Sequence, residues 1–298
     1  MGGALGQACL FITVELCKHA MKVTNEPVDD TPDYDDPAPA AGGSGDVYVI
    51  IMALDYKQTS NPLTCSIDGR NMERLCRSCG IPQGNITAMY DEQCTKANVT
   101  DVVQQVGGQC GPGDYFIFYY SGHGTNLEDI SGDEEDGQDE AFCFVTDDGQ
   151  INYDSCMVDD DFSDLITSSL NPEVKTLILT DCCHSGSIAD FETGDWSNRQ
   201  AISITGCLDG QTSGDIGKGG IFTHSMLLAI GELQDDGESD YSVGKLYNVT
   251  LEKDDEVFHS KQDITMQCSP GFQPKKMGWP LVPQDAWEPP LGHRSDDS

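Results

Sequence analysis

The chain of 298 residues carries 51 acidic against 16 basic side chains, a formal charge of −35. Such a surface repels nucleic acid and anionic membranes and attracts metal ions and basic peptides. Apolar residues make up 38% of the chain, the low side for a soluble globular protein, and the length suffices for one large domain or two small ones.

The apolar run from Cys9 to Leu16 has no basic flank and meets Glu15 too early for a signal peptide. It is also far too short to span a bilayer. Met1-Gly2 opens a myristoylation pattern, but Gly6 stands where Ser or Thr is wanted. A cytoplasmic protein is expected, with N-terminal lipidation left open. Glu26 to Gly45 is rich in Pro, Asp, Ala and Gly and reads as a linker, so residues 1–45 form an N-terminal segment ahead of the globular part.

Val47 to Leu54 is a continuous apolar run, the pattern of a central strand covered on both sides. Helical spacing follows over Ile67 to Cys79, a short strand over Asn85 to Tyr90, and a helix with Val99, Val102, Val103 and Val106 on its apolar face. The strand Asp114 to Tyr120 ends in Ser121-Gly122-His123-Gly124, and an acidic loop comes next. Ala141 to Thr146 reads as a strand with a turn at Asp147-Asp148-Gly149. The helix after it starts on Asp159-Asp160-Asp161, the favourable end for negative charge. Val174 to Thr180 is a strand running into Asp181-Cys182-Cys183-His184-Ser185-Gly186. A polar loop from Ile188 to Gln200, a strand over Ala201 to Thr205, a helix over Ile221 to Leu233, a last strand over Ile264 to Cys268 and a Pro-rich tail complete the chain. Strands alternating with helices predict an α/β fold with a mainly parallel sheet covered on both faces.

Thirteen cysteines in irregular spacing do not make a disulfide framework, and Cys76-Arg77-Ser78-Cys79 lacks the second pair of a zinc site. Most are expected to be buried small hydrophobes. Cys183 and His123 are different. Each stands just past a predicted buried strand, where parallel strands open onto a crevice. A thiol reacts as its thiolate, and an imidazole can take its proton and later return it to a leaving amine. The amides of Gly124 and Cys183 are candidates to stabilise an oxyanion. Chemistry alone does not choose between the adjacent thiols Cys182 and Cys183.

Tyr119-Tyr120-Ser121-Gly122-His123-Gly124 together with Asp181-Cys182-Cys183-His184-Ser185-Gly186 resembles the metacaspases, cysteine peptidases of the caspase-like clan. Cys65-Ser66-Ile67-Asp68, Gly132 to Glu140 and Gly206-Cys207-Leu208-Asp209-Gly210-Gln211-Thr212-Ser213 extend the resemblance in the family's order, from about Val47 to about Cys268. It implies a caspase-like three-layer α/β sandwich in one peptidase domain, residues 46–298. A large-subunit-like region would run to about 200 and a small-subunit-like region from about 201. It also implies Cys183 as nucleophile, His123 as general acid/base and Cys182 as a bystander. The subtype it suggests is type I-like without a prodomain.

Metacaspases cleave after Arg or Lys, and the resemblance assigns the required acidic pocket to Asp68 and Asp181, with Cys65 and Ser121 in its lining. A carboxylate there would bind guanidinium or ammonium and repel an acidic side chain. Read without the family, Asp181 serves equally as a turn cap and Asp68 as a helix N-terminal charge. Glu128 to Glu140 packs eight carboxylates into thirteen residues without the EF-hand pattern. The resemblance places calcium ligands at Asp139, Asp159, Asp160 and Asp190, and weak, millimolar activation by Ca2+ is expected. Arg199 and Lys218, in loops beyond the nucleophile, are the candidate self-cleavage sites. Protein or peptide substrates with Arg or Lys before the scissile bond, and a monomeric state, complete the expectation. The competing reading is a non-catalytic acidic calcium-binding or scaffold protein of the same fold.

Overall fold

The computed structural model describes residues 23–31, 45–128, 138–183, 187–206, 219–259 and 263–288. Its centre is a six-stranded sheet built from β1 (Val47–Ala53), β2 (Ile86–Tyr90), β3 (Tyr115–Ser121), β7 (Lys175–Asp181), β8 (Gln200–Thr205) and β9 (Thr265–Cys268). The spatial order is β2-β1-β3-β7-β8-β9, parallel throughout except for the antiparallel edge strand β9. Alternation along the strands divides the core. Val49, Ile51, Ile117, Tyr119, Leu177 and Leu179 face one side, and Ile50, Met52, Phe116, Phe118, Tyr120 and Ile178 the other.

The first side is covered by α1 (Ser66–Ser78), α4 (Ile221–Asp235) and α5 (Val243–Lys253), through Met72, Leu75, Met226, Ile230 and Leu246. The second is covered by α2 (Lys96–Gly107) and α3 (Asp159–Ser169), through Val99, Val103, Phe162 and Ile166. Strands buried on both faces need apolar side chains at nearly every position, which is why β1, β3 and β7 are so legible. The expected three-layer arrangement is the one observed.

Four features depart from the expectations. Gly124–Glu128, expected as the start of an acidic loop, is a strand, β4. It pairs antiparallel with β5 (Gln138–Cys143), which pairs with β6 (Cys156–Val158) in a second, three-stranded sheet. The strand expected at Ala141 to Thr146 therefore begins earlier and lies outside the main sheet. β4 is half-exposed and without clean alternation, so the period-2 signal is missing. Helix α5 was not expected, although Val243, Leu246, Tyr247 and Thr250 give it a buried stripe and Ser242 caps it by accepting from the Lys245 amide. At the two ends, segments expected as linker and tail are docked. Thr24 bridges to Met266, Val28 exchanges hydrogen bonds with the Asn248 amide, and Met277, Trp279 and Leu281 are buried.

Candidate active site

β3 and β7 are register partners over their whole length, and their last pair is Ser121 with Asp181. His123 and Cys183 each lie two residues further on. The main chain crosses closely here: a Cβ added at Gly124 would stand 1.9 Å from the Cys183 carbonyl oxygen. No residue with a side chain fits at 124 without pushing the two segments apart.

His123 is held on all sides. Its amide donates to the Tyr56 hydroxyl at 2.9 Å, and its carbonyl accepts from the Tyr120 hydroxyl at 2.7 Å and the Cys143 amide at 3.0 Å. Tyr56 also donates to the Cys143 carbonyl at 2.6 Å, and its ring lies 4.5 Å from the imidazole, centre to centre. Burial pushes the Tyr56 and Tyr120 phenols well above their ordinary range, so both remain protonated donors. Tyr56 has φ +53, in the left-handed region that a bulky side chain seldom adopts. The imidazole Nε2 stands 2.8 Å from the Asn61 carbonyl oxygen. A carbonyl only accepts, so Nε2 carries the proton, and in the neutral ring Nδ1 is then the basic atom.

The adjacent thiols differ in environment. Cys182 is buried in the core beneath the sheet edge, whereas Cys183 is half-exposed. Ten cysteines lie among the described residues, and Cys183 is the one of them that is not buried. Burial pushes Cys79, Cys94, Cys110 and Cys268 up to about 12, and Cys76 higher still, which makes these five inert at neutral pH.

The four expected pocket residues come together at the same edge. Cys65 precedes α1, and Asp68 in its first turn is fully buried. Asp68 Oδ2 accepts from the Ser121 hydroxyl and the Gly220 amide, both at 2.9 Å. Asp181 Oδ2 accepts from the Thr223 amide and hydroxyl, both at 2.8 Å. Gly219 and Gly220 pass directly over the two carboxylates. A Cβ at Gly219 would lie 2.0 Å from Asp68, and one at Gly220 2.1 Å from Asp181. Gly219 also has φ +103, so glycine is required there twice over.

Asp139, Asp159 and Asp190 are buried and Asp160 half-buried. Asp159 accepts from the Glu140 amide, and burial, with Asp139 close by, raises its carboxyl to about 6. Asp190 sits at φ +42 in the loop after Cys183. That loop is tied to β5 by Ser187 donating to Glu140 at 2.8 Å, and to α3 by Trp196 donating to Ser163 at 2.7 Å. Among the described residues no group of three or more His, Cys, Asp or Glu is gathered closely enough to hold a metal ion. Asp159 has Asp139 and Asp160 as neighbours, but among the described residues the four carboxylates form no preformed cage, and most of the acidic loop lies outside the described residues.

The model of the metacaspase peptidase C14 domain matches residues 49–192, a span that holds His123, Cys183, Asp68 and Asp181. Over that span the chain is similar to the metacaspases. It is 29% identical to metacaspase-2 of Arabidopsis thaliana over 246 residues, covering 72% of this chain and 58% of that one. It is 33% identical to metacaspase-1 of Kluyveromyces lactis over 150 residues, 48% of this chain and 34% of the relative. Metacaspase-2 of Trypanosoma brucei brucei is 29% identical over 200 residues, 57% and 56%. The chain thus spans between about a third and three-fifths of the length of these curated relatives. A crystal structure of a Geobacter sulfurreducens protein shares the fold, with TM-score 0.58 and 21% identity over 80% of this chain and 98% of that one.

Among the features expected of a metacaspase, the self-cleavage candidates fare differently. Arg199 donates to the carbonyls of Asp195, Leu170 and Thr167 and leads directly into β8, so it clasps the end of α3. Lys218 lies outside the described residues, as do Gln211, Thr212 and Ser213. No helix among the described residues is long and apolar enough to cross a membrane. Tyr56, Asn61, Ser187, Gly220 and Thr223 were not singled out from sequence. Tyr56 lies just past the carboxyl end of β1, the same topological position as His123 and Cys183, and that position was the available signal.

Proposed function

We propose that this protein is a cysteine endopeptidase that cleaves after Arg or Lys and is activated by calcium. The observation that carries the chemistry is the shared register of β3 and β7, which supports a dyad of His123 and Cys183, with the imidazole proton fixed on Nε2 by Asn61. Nδ1 of His123 takes the Cys183 proton, and the thiolate attacks the scissile carbonyl carbon. Amides of Gly124 and Cys183 receive the oxyanion. Collapse of the tetrahedral intermediate expels the amine, which takes the proton back from the imidazolium, and leaves an acyl-enzyme. Water, deprotonated by the same Nδ1, then releases the acid and restores the thiol.

Asp68 and Asp181 receive the basic side chain before the scissile bond, with Cys65 and Ser121 beside them. Buried carboxylates at a crevice discriminate strongly against Asp and Glu. For calcium, the supporting observation is the crowding of Asp159 against Asp139 in a buried site, an arrangement that a hard cation relieves. Asp139, Asp159, Asp160 and Asp190 would hold it, joining β5, α3 and the loop after Cys183. Of the two self-cleavage candidates this reading retains Lys218. The protein acts as a monomer on proteins or peptides in the cytoplasm. Hydrolysis of an Arg-terminated fluorogenic peptide, with and without calcium, tests it. Turnover that persists in Cys183→Ala, or a preference for Asp over Arg, overturns it.

A further inference from the structure

Beyond Asp68 and Asp181, a third carboxylate stands at the same edge of the fold. α5 ends in a single π-helical turn, Asp254–Phe258, closed by His259 at φ +46. Asp254 opens that turn. It is 8% exposed, and its Oδ1 has no hydrogen-bond partner among the described residues.

The topology brings this turn to the pocket from two directions. β9 runs antiparallel to β8 and begins at Thr265, in one row with Thr205 and Thr180, the residue before Asp181. Asp263 and Ile264, which lead into β9, therefore stand at the edge where Ser121 and Asp181 end their strands. From the other side, α4 joins the two sites through consecutive residues. Thr223 binds Asp181 through its amide and hydroxyl, and the His224 ring packs at 6.2 Å against Phe258 of the turn.

The charges facing Asp254 are nearly all of its own sign. Burial raises its carboxyl to about 6, and Asp255, Asp181 and Asp263 push the same way. Lys253, its neighbour in sequence, gives its ammonium to Glu232 and Glu256 instead. His224 turns Nδ1 to the Gly220 carbonyl at 3.2 Å. Asp68 Oδ2 and Asp181 Oδ2 each accept from two donors of the protein, and Asp254 Oδ1 accepts from none among the described residues. A buried anion in that state is costly unless a cation meets it.

We propose that Asp254 is a specificity-determining residue, a third carboxylate that meets the guanidinium or ammonium of the substrate's basic side chain. The proposal rests on the Arg/Lys-specific reading above and adds to it a residue from the small-subunit-like half of the chain. With three carboxylates, both ends of a guanidinium fork and a compact ammonium can be received.

The test separates this proposal from the reading beneath it. In the Cys183→Ala protein, titrate a peptide ending in arginine amide and the same peptide ending in norleucine amide, with Asp254 intact and as Asp254→Asn. The expected result is a loss of about tenfold in affinity for the arginine peptide and no change for the norleucine peptide. In the protein with Cys183 intact, KM for the arginine substrate should fall between pH 5 and 7, and Asp254→Asn should flatten that fall. A melting curve verifies that the variant is folded, and Asp254→Ser replaces it if it is not. Equal arginine affinity with and without Asp254, in a protein that does discriminate arginine from norleucine, overturns the role of Asp254 alone. No discrimination even with Asp254 intact overturns both readings.

Discussion

Ser121 and Asp181 are the last register partners of β3 and β7, and each also takes part in the hydrogen bonds around the two buried carboxylates Asp68 and Asp181. Ser121 donates to Asp68, and Asp181 accepts from Thr223. The pair that sets His123 level with Cys183 is therefore also the pair on which the proposed site for a basic side chain rests. In the proposed function reactivity and selectivity share one element of geometry, and a slip of one residue between these strands would misplace both.

The two adjacent thiols give the first prediction. Cys183→Ala should abolish hydrolysis of an Arg-terminated substrate, and Cys182→Ala should keep at least a tenth of it while lowering the melting temperature. Iodoacetamide under native conditions should label Cys183 ahead of the nine buried cysteines among the described residues, as read by peptide mapping. Labelling first at Cys79 or Cys94, whose thiols burial holds near 12, would contradict the picture.

A second prediction concerns Tyr56, whose hydroxyl joins the His123 amide to the Cys143 carbonyl. Tyr56→Phe keeps the ring contact and leaves the His123 amide unpaired. The expected loss is about tenfold in kcat/KM, the equivalent of about 1.4 kcal/mol, carried by kcat with KM unchanged. A rise in KM at constant kcat would mean that Tyr56 serves the pocket and not the imidazole.

At Gly220 the contact is steric. Its amide binds Asp68 while its Cα lies against the Asp181 carboxylate, so Gly220→Ala must displace one of them. KM for Arg and Lys substrates should rise at least tenfold, whereas the rate of Cys183 alkylation by iodoacetamide stays as in the parent. Equal loss in both measurements would show that the substitution disturbs the whole edge.

The parallel sheet was readable because strands buried on two faces leave unbroken apolar runs, and β1, β3 and β7 were placed nearly to the residue. His123 and Cys183 followed from the same logic, since both stand past such runs. The second sheet was not readable: β6 has three residues, and β4 is a polar, half-exposed strand with no alternation. Asn61 and Thr223 act through the main chain or through a hydroxyl, and no residue type or spacing announces such a role, whereas Tyr56 is marked only by its place past the end of β1. Asp254 was hidden because α5 itself went unrecognised, so a carboxylate at its end had no predicted place.

Asp254 also gives stability a pH dependence whose sign is fixed. Its folded-state carboxyl, near 6, lies above the ordinary value of 3.8, so the fold binds this proton more tightly than the unfolded chain does. The stabilisation is complete below the unfolded value and is lost as pH rises through about 6. Asp254→Asn removes the penalty of the charged form. It should therefore raise the melting temperature at pH 7.5, and the gain should shrink by pH 4.5. A gap of constant size across that range would show that the carboxylate is not strained in the fold.

Calcium should act on the same fold from the other side of Cys183. Asp159 and Asp190 belong to separate segments, α3 and the loop that Ser187 ties to Glu140. An ion held by both would bind the folded chain and not the unfolded one, so it must raise the melting temperature. The shift should appear at millimolar calcium in the Cys183→Ala protein, where turnover and self-cleavage cannot contribute. Asp159→Asn or Asp190→Asn should remove most of it, and magnesium at equal concentration should not reproduce it, since that smaller ion dehydrates reluctantly. Identical melting in calcium and in excess chelator would remove the ion from the account of activation. The acidic run at Glu128 to Glu140 would then be read as a solvated loop that serves solubility.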